Sequence, residues 1–240
     1  MKTSKLWYIP AGFFLVTCII NLAGCLSDSP VERYVKPALM PLLCVTTAAY
    51  LLCAAPDAAR GKDTARMVAL LLAGQLFGYA GDTMIMSKDF PFFAGGIGLF
   101  LMGHLCYISL FGSLSWKGLK TWQWIWAVAL MLSATALLIV VIGVKGAMLA
   151  PMGIYGFVLT WLVFSALAGV LRPKAVVRGG RATWCMLLCG AVLFLFSDAL
   201  IAVRTFGTLS SFMGGFGVMS TYLVAQSLLA IGGIRLIINK

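Results

Sequence analysis

The chain has 240 residues, of which 62% are hydrophobic and 10% charged; soluble domains are about 45–50% apolar and about 25% charged. With a mean hydropathy of +1.01, a soluble domain is excluded and an all-α, polytopic membrane protein is expected. The net charge of +11 raises nucleic-acid binding, but most of its basic residues sit beside apolar segments, which argues against it.

Eight apolar segments follow in chain order: Trp7–Leu26, Val35–Ala55, Met67–Met86, Phe92–Leu114, Trp122–Gly143, Ala147–Leu171, Trp184–Val203 and Phe212–Ile237. Each is long enough to cross about 30 Å of hydrocarbon as a helix. The connections are short and leave no room for a soluble domain, so residues 1–240 are expected to form one membrane domain. In the first segment, Lys2 and Lys5 ahead of an apolar run resemble a signal peptide. Leu22-Ala23-Gly24-Cys25 also resembles the motif cleaved ahead of a lipidated cysteine in bacterial lipoproteins. The run is nearer a full span than a signal core, and another span follows directly, so it is read as the first helix.

With eight spans, one membrane face receives both termini and the second, fourth and sixth connections. That face carries Lys2, Lys5, Arg60, Lys62, Arg66, Lys117, Lys120, Arg172, Lys174, Arg178, Arg181, Arg235 and Lys240, 13 of the 18 basic residues. The other carries Arg33, Lys36, Lys88, Lys145 and Arg204. The excess of cations places both termini in the cytoplasm and attracts anionic lipid. Compact connections favour a bacterial inner membrane.

The seven cysteines are scattered through the apolar segments, without a C-x-x-C pair. They read as small buried hydrophobes rather than as a disulfide framework or zinc site. His104 is the single histidine, which excludes multi-histidine metal sites.

Two carboxylates carry most of the functional information. Asp82 lies within the third apolar segment and Asp198 within the seventh, whereas the other five acidic residues fall in gaps. An ionised carboxylate in a bilayer costs at least about 2.5–3.5 kcal/mol, so such residues face a cavity or a partner and mark function. The alternative is a purely structural bond to a neighbouring helix. A small residue before Asp, a short connection and then G-G-x-G occurs twice: Gly81-Asp82 with Gly95-Gly96-Ile97-Gly98, and Ser197-Asp198 with Gly214-Gly215-Phe216-Gly217. Four helices separate the copies. This predicts two parallel four-helix repeats, about 1–115 and 116–240, forming one bundle with both Asp residues at similar depth. The glycines would let neighbouring helices approach closely. Counting to Ser87 and Arg204 puts both carboxylates about 7–9 Å below the non-cytoplasmic helix ends. Arg33, Lys36 and Arg204 lie on that side and suit a lipid phosphate, although Lys36 and Arg204 can equally be residues snorkelling at helix ends.

Several motifs resemble one known family, the YhhN-type lysoplasmalogenases. Lys36-Pro37 followed by Met40-Pro41-Leu42-Leu43 looks like its second-helix signature. Leu76-Phe77-Gly78-Tyr79-Ala80-Gly81-Asp82 is similar to its Gly-Asp motif. Gly103-His104-Leu105-Cys106-Tyr107 resembles its Gly-His-x-x-Tyr stretch, and Phe196-Ser197-Asp198 its Ser-Asp motif. Tyr222 with Ala225-Gln226 matches its final helix. The resemblance implies an integral-membrane hydrolase that cleaves the vinyl-ether bond of lysoplasmalogens. The products would be a fatty aldehyde and glycerophospho-ethanolamine or -choline. It implies Asp82 and Asp198 as the catalytic pair, a lysophospholipid substrate, and no metal or organic cofactor.

The chemistry suits those residues on its own terms. A vinyl ether resists bases but yields to acid, because a proton on the outer alkene carbon gives an oxocarbenium ion that water traps. Such a site needs one carboxyl kept protonated and a second carboxylate to stabilise the cation or activate water, as in glycoside hydrolysis. Which Asp is the acid stays open, with a lean towards Asp198 because Leu193–Phe196 and Ala199–Ile201 surround it with apolar side chains. His104 and Tyr107 share one face of helix four, and Tyr222 and Gln226 one face of helix eight. They are candidates to orient the pair or the substrate, with Asn21 a further one; interhelical hydrogen bonding is the alternative role for each. A proton-coupled small-molecule or lipid transporter would use the same Asp pair, and a non-catalytic lipid-binding subunit would use it for assembly alone.

Overall fold

The structure is a computed structural model and describes residues 5–55, 61–87, 89–172, 178–206 and 213–239. Lys2, Arg60, Lys88, Lys174 and Lys240 among the basic residues, and Phe212 at the expected start of the last span, lie outside them. Eight helices long and apolar enough to cross a membrane are present, and among the described residues every regular element is helical. They are α1 (Tyr8–Leu26), α2 (Val31–Cys53), α3 (Lys62–Ile85), α4 (Phe90–Ser115), α5 (Thr121–Ile142), α6 (Leu149–Leu171), α7 (Gly180–Phe206) and α8 (Val218–Ile238). A 3-10 turn, Gly146–Met148, leads into α6, and a π-helical turn, Met213–Gly217, leads into α8.

Most helices run past their apolar windows. α2 takes in Glu32, α3 takes in Lys62, Asp63 and Arg66, and α7 takes in Arg181 and Arg204. Hydropathy marks where hydrocarbon ends, whereas the backbone hydrogen-bond ladder continues into the headgroup region. The depth estimate changes accordingly. Asp82 stands three residues from the end of α3 and Asp198 eight from the end of α7, about 4.5 and 12 Å along the helix axes.

Consecutive helices pack together from α1 to α4 and again from α5 to α8, and α4–α6 and α2–α8 contacts join the two runs. Helix α8 is the most embedded, with 56% of its apolar window buried, against 17% for the peripheral α5. The core between them is made by side chains such as Leu71, Phe111, Leu162, Trp184, Leu187 and Leu229, all fully buried. Of the cysteines expected to be buried, Cys25 is; Cys18, Cys44, Cys53 and Cys106 are half-buried, and Cys185 and Cys189 are exposed on α7. All seven cysteines are free thiols.

Arginines of the α6–α7 connection have a structural task besides topology. Arg172 donates from its guanidinium to the Leu114 carbonyl at the end of α4 (3.3 Å), and Arg178 to the Leu236 and Ile237 carbonyls at the end of α8 (2.5 and 2.8 Å). Carbonyls in the last turn of a helix have no partner within it, and a cation there also complements the helix dipole.

Small residues on α3 admit the polar side chains of the site. A Cβ at Gly74 would lie 2.9 Å from Tyr107 Cζ, and one at Gly78 would lie 3.2 Å from Gln226 Nε2. The repeated glycine motif behaves differently in its two copies. A Cβ at Gly96 would lie 3.1 Å from the Gly81 carbonyl oxygen, a true close approach of α3 and α4, whereas one at Gly215 would meet nothing within 4 Å.

Gly74→Val is therefore expected to cost about 1–3 kcal/mol by overpacking against Tyr107. Val141→Ala, on the lipid-facing side of α5 at 72% exposure, should be near neutral. Thermal unfolding of both variants in detergent measures the difference.

Candidate active site

Asp82 is 6% exposed and Asp198 7%, and each is met by a hydroxyl from another helix. Tyr222 on α8 donates to Asp82 Oδ2 at 2.6 Å, and Lys36 on α2 places its Nζ 3.5 Å from Oδ1. Lys36 immediately precedes Pro37, whose ring removes the N–H that would otherwise bond to the Arg33 carbonyl. Asp198 accepts a short hydrogen bond from the Tyr155 hydroxyl on α6.

A polar chain runs inward from Asp82. Tyr107 on α4 donates to Gln226 Oε1 (3.1 Å), and Gln226 Nε2 donates to the Tyr222 oxygen (3.4 Å). Tyr222 can then direct its own proton only at Asp82, so this carboxylate is held by a donor whose orientation is fixed two residues away. Gln226 and Tyr107 are each 1% exposed, and satisfied polar groups at such depth rigidify a bundle.

Aromatic rings connect the two halves of the site. Phe194 stands edge-on to Tyr222 (5.4 Å between centroids) and to His104 (4.5 Å), and His104 stands edge-on to Tyr155 (5.8 Å). His104 thus packs between the partners of the two carboxylates rather than touching either one. Neither of its ring nitrogens has a hydrogen bond among the described residues.

Ser197 explains how Asp198 is aimed. Its hydroxyl donates to the Val218 carbonyl at 3.1 Å, tying α7 to the first turn of α8. That turn follows the π-helical Met213–Gly217, whose wider ring leaves carbonyls to be met by side chains. Thr221 Oγ1 accordingly donates to the Gly217 carbonyl at 2.7 Å.

Three cavities lie at the site; Asp198 lines two of them, and Lys36, the partner of Asp82, lines the third. A vestibule of about 560 Å³ opens between α1, α2, α3, α4, α7 and α8, with Arg33, Lys36, Arg204, Glu32 and Asn21 in its walls. A slot of about 20 Å³, lined by Phe100, Met152, Tyr155 and Asp198, shares Ile85, Phe93 and Ile201 with the vestibule. A crevice of about 30 Å³ between α5, α6 and α7 shares Met152, Tyr155, Asp198 and Ala202 with the slot. Asp198 therefore lines both the slot and the apolar crevice.

Of the residues singled out in the sequence, Lys36, Tyr222, Gln226 and Tyr107 come together on Asp82, and His104 sits in the aromatic wall. Arg204 and Asn21 line the vestibule. Asn21 Nδ2 donates to the Glu32 carbonyl at 3.1 Å, while the Cys25 thiol donates to Glu32 Oε2 at 2.9 Å. Tyr155 was not anticipated, and Phe194, expected only among the apolar side chains around Asp198, also packs on Tyr222 and His104. Tyr155 had one available signal: it occupies α6, the helix that corresponds to α2 when each helix is matched with the fourth one after it, and Lys36 on α2 faces the other Asp. No group of three or more His, Cys, Asp or Glu residues arranged to hold a metal occurs among the described residues.

Residues 31–233 match the model of the YhhN family. The chain is 27% identical to a human protein named lysoplasmalogenase TMEM86A, over 93% of this chain and 87% of that one. It is 26% identical to the Bos taurus protein of the same name with the same coverage. It is 29% identical to mouse lysoplasmalogenase TMEM86B, over 95% of this chain and 87% of the relative. No solved structure matches.

Breaking the Lys36–Asp82 pair from one side leaves a charge in a mostly buried site, whereas removing both charges does not. Lys36→Met should lower unfolding free energy by about 2 kcal/mol, and adding Asp82→Asn should recover at least half of it. A double variant as unstable as the sum of the two single ones would show the groups to be uncoupled.

Proposed function

The chain belongs to the YhhN family, and on that footing we propose that it is an intramembrane lysoplasmalogenase in which Asp198 and Asp82 act as acid and carboxylate. The observation that carries this reading is a pair of buried carboxylates, each held by a tyrosine, with Asp82 beside Lys36 of the cationic vestibule and Asp198 in the lining of the apolar crevice. The division of labour follows from their partners. Asp82 faces Lys36, which favours the carboxylate, and Asp198 faces a neutral hydroxyl amid apolar side chains.

The substrate phosphate lies in the vestibule near Arg33 and Arg204, with the vinyl ether in the slot. Asp198 delivers its proton to the outer alkene carbon, and the resulting oxocarbenium ion is stabilised by the Asp82 carboxylate. Water adds to the cationic carbon as Asp82 takes its proton. The hemiacetal then collapses: its hydroxyl proton returns to Asp198, and the proton on Asp82 passes to the departing glycerol oxygen. One water is consumed, an aldehyde and an alcohol are released, and both carboxyl groups regain their starting state.

The same reading takes the two halves, about 1–115 and 116–240, as parallel repeats. It is supported by the α4–α6 and α8–α2 contacts and by Arg172 and Arg178 capping α4 and α8, the equivalent helices. Basic residues concentrated on one face support cytoplasmic termini, and the compact connections support a bacterial inner membrane as its location.

Aldehyde release from lysoplasmenylethanolamine by the purified protein tests the proposal. Asp82→Asn and Asp198→Asn should each lower it by about 10²–10⁴-fold, and Tyr155→Phe by about 10–100-fold, with the proteins still folded. Full activity in both Asn variants would exclude the pair. No release by folded wild type with either headgroup across a pH series would exclude the hydrolase and turn attention to proton-dependent uptake.

A further inference from the structure

We infer that Glu32 receives the ammonium group of the lysolipid headgroup, and so selects ethanolamine over headgroups that have no N–H cation to offer. The inference rests on the hydrolase reading for the lipid that carries this headgroup. At about 560 Å³ the vestibule has the size of a small-ligand cleft, about 300–1,000 Å³. Among the described residues its charged walls are Arg33, Lys36 and Arg204 and, against them, one carboxylate, that of Glu32. A cavity for a phosphate alone gains nothing from that carboxylate, which repels the anion that the basic residues attract. A zwitterion uses both signs.

Glu32 is anchored more firmly than a surface carboxylate needs. Asn21, fully buried, donates to its carbonyl at 3.1 Å, and the Glu32 N–H donates to the Ser29 carbonyl at 3.3 Å. A Cβ at Gly24 would lie 3.0 Å from the Glu32 nitrogen, so α1 closes directly on this backbone. The Cys25 thiol donates to Oε2 at 2.9 Å. Among the described residues Oε1 accepts no hydrogen bond, and no cation stands within 4 Å of the carboxylate. Lys36, on the same face of α2 one turn on, pairs with Asp82 instead. These contacts fix the residue and leave one oxygen for an incoming donor.

Its place along α2 suits the order of groups along the lipid. Lys36 marks the level of Asp82, and Glu32 stands about 6 Å nearer the start of the helix. In the lysolipid the ammonium lies beyond the phosphate, at the end farthest from the vinyl ether. A carboxylate in the first turn of α2, with the reacting pair deeper, matches that order. A primary ammonium brings three N–H donors to such an oxygen. A trimethylammonium brings none and keeps only charge attraction, and a glycerol headgroup has no cation at all.

Dissociation constants of non-hydrolysable 1-O-alkyl lysophospholipids test this, measured on the full chain in a non-ionic detergent with ethanolamine, choline and glycerol headgroups on one tail. Wild type is expected to bind the ethanolamine lipid about tenfold or more tighter than the glycerol lipid, with choline between them. Glu32→Gln keeps the shape of the side chain and an oxygen for Cys25. It should weaken the ethanolamine lipid about tenfold or more and the choline lipid less, and leave the glycerol lipid unchanged or tighter. Equal weakening of all three would overturn the inference. So would tighter glycerol binding with the ethanolamine lipid unmoved, the result for a carboxylate that only balances charge. Aldehyde release from the matching lysoplasmenyl lipids separates the two readings. Release without the Glu32-dependent preference removes the ammonium site alone, and the preference without release keeps that site and removes the hydrolase.

Discussion

A carboxylate in hydrocarbon is expensive enough that the surrounding helices must be arranged to receive it. Asp82 and Asp198 impose that condition at two points of this bundle, and much of the interior answers it. Tyr222 and Lys36 reach Asp82 from α8 and α2, and Tyr155 reaches Asp198 from α6. Those reaches need close helices, which glycines on α3 permit, and a fixed α7–α8 register, which the Ser197 bond to the Val218 carbonyl supplies. The Gln226–Tyr107 pair beneath is the next layer of the same arrangement.

The two sites are alike in outline and unlike in chemistry. Each Asp receives a tyrosine hydroxyl, but one also faces the ammonium group of Lys36, whereas the other lines the slot and the crevice. A pair of identical carboxyl groups is thereby given two environments, the condition under which one can act as acid while the other stays charged. His104, packed by Phe194 and Tyr155, serves this asymmetry as part of the wall between them.

The eight spans were legible in the sequence because membrane helices are written in hydropathy alone. So were Asp82 and Asp198, since a charge within an apolar run stands out without any knowledge of the fold. Lys36, Tyr107, Tyr222 and Gln226 were legible only through motif resemblance and helical spacing, and which of them touched which Asp was not. Tyr155 is one of seven tyrosines, sits in a helix without charged residues, and gains its role only from the packing of α6 on α7. The helix ends, and with them the distances of the two carboxylates from those ends, were hidden because charged residues continue the backbone ladder beyond hydrocarbon. Arg172 and Arg178 read as topology signals in one dimension; their capping of α4 and α8 exists only once distant helix ends are brought beside them.

The central claim is that Asp198 protonates carbon rather than that a nucleophile attacks the lipid, and isotopes test it most directly. Lysoplasmenylethanolamine cleaved in deuterated, ¹⁸O-labelled water, with the aldehyde reduced as it forms, reports where each atom of water goes. Protonation by a fixed carboxyl predicts one deuterium in a single configuration on the carbon next to the former aldehyde, and unlabelled oxygen in the glycerol product. Label in the glycerol oxygen, or deuterium scrambled between both configurations, would contradict it.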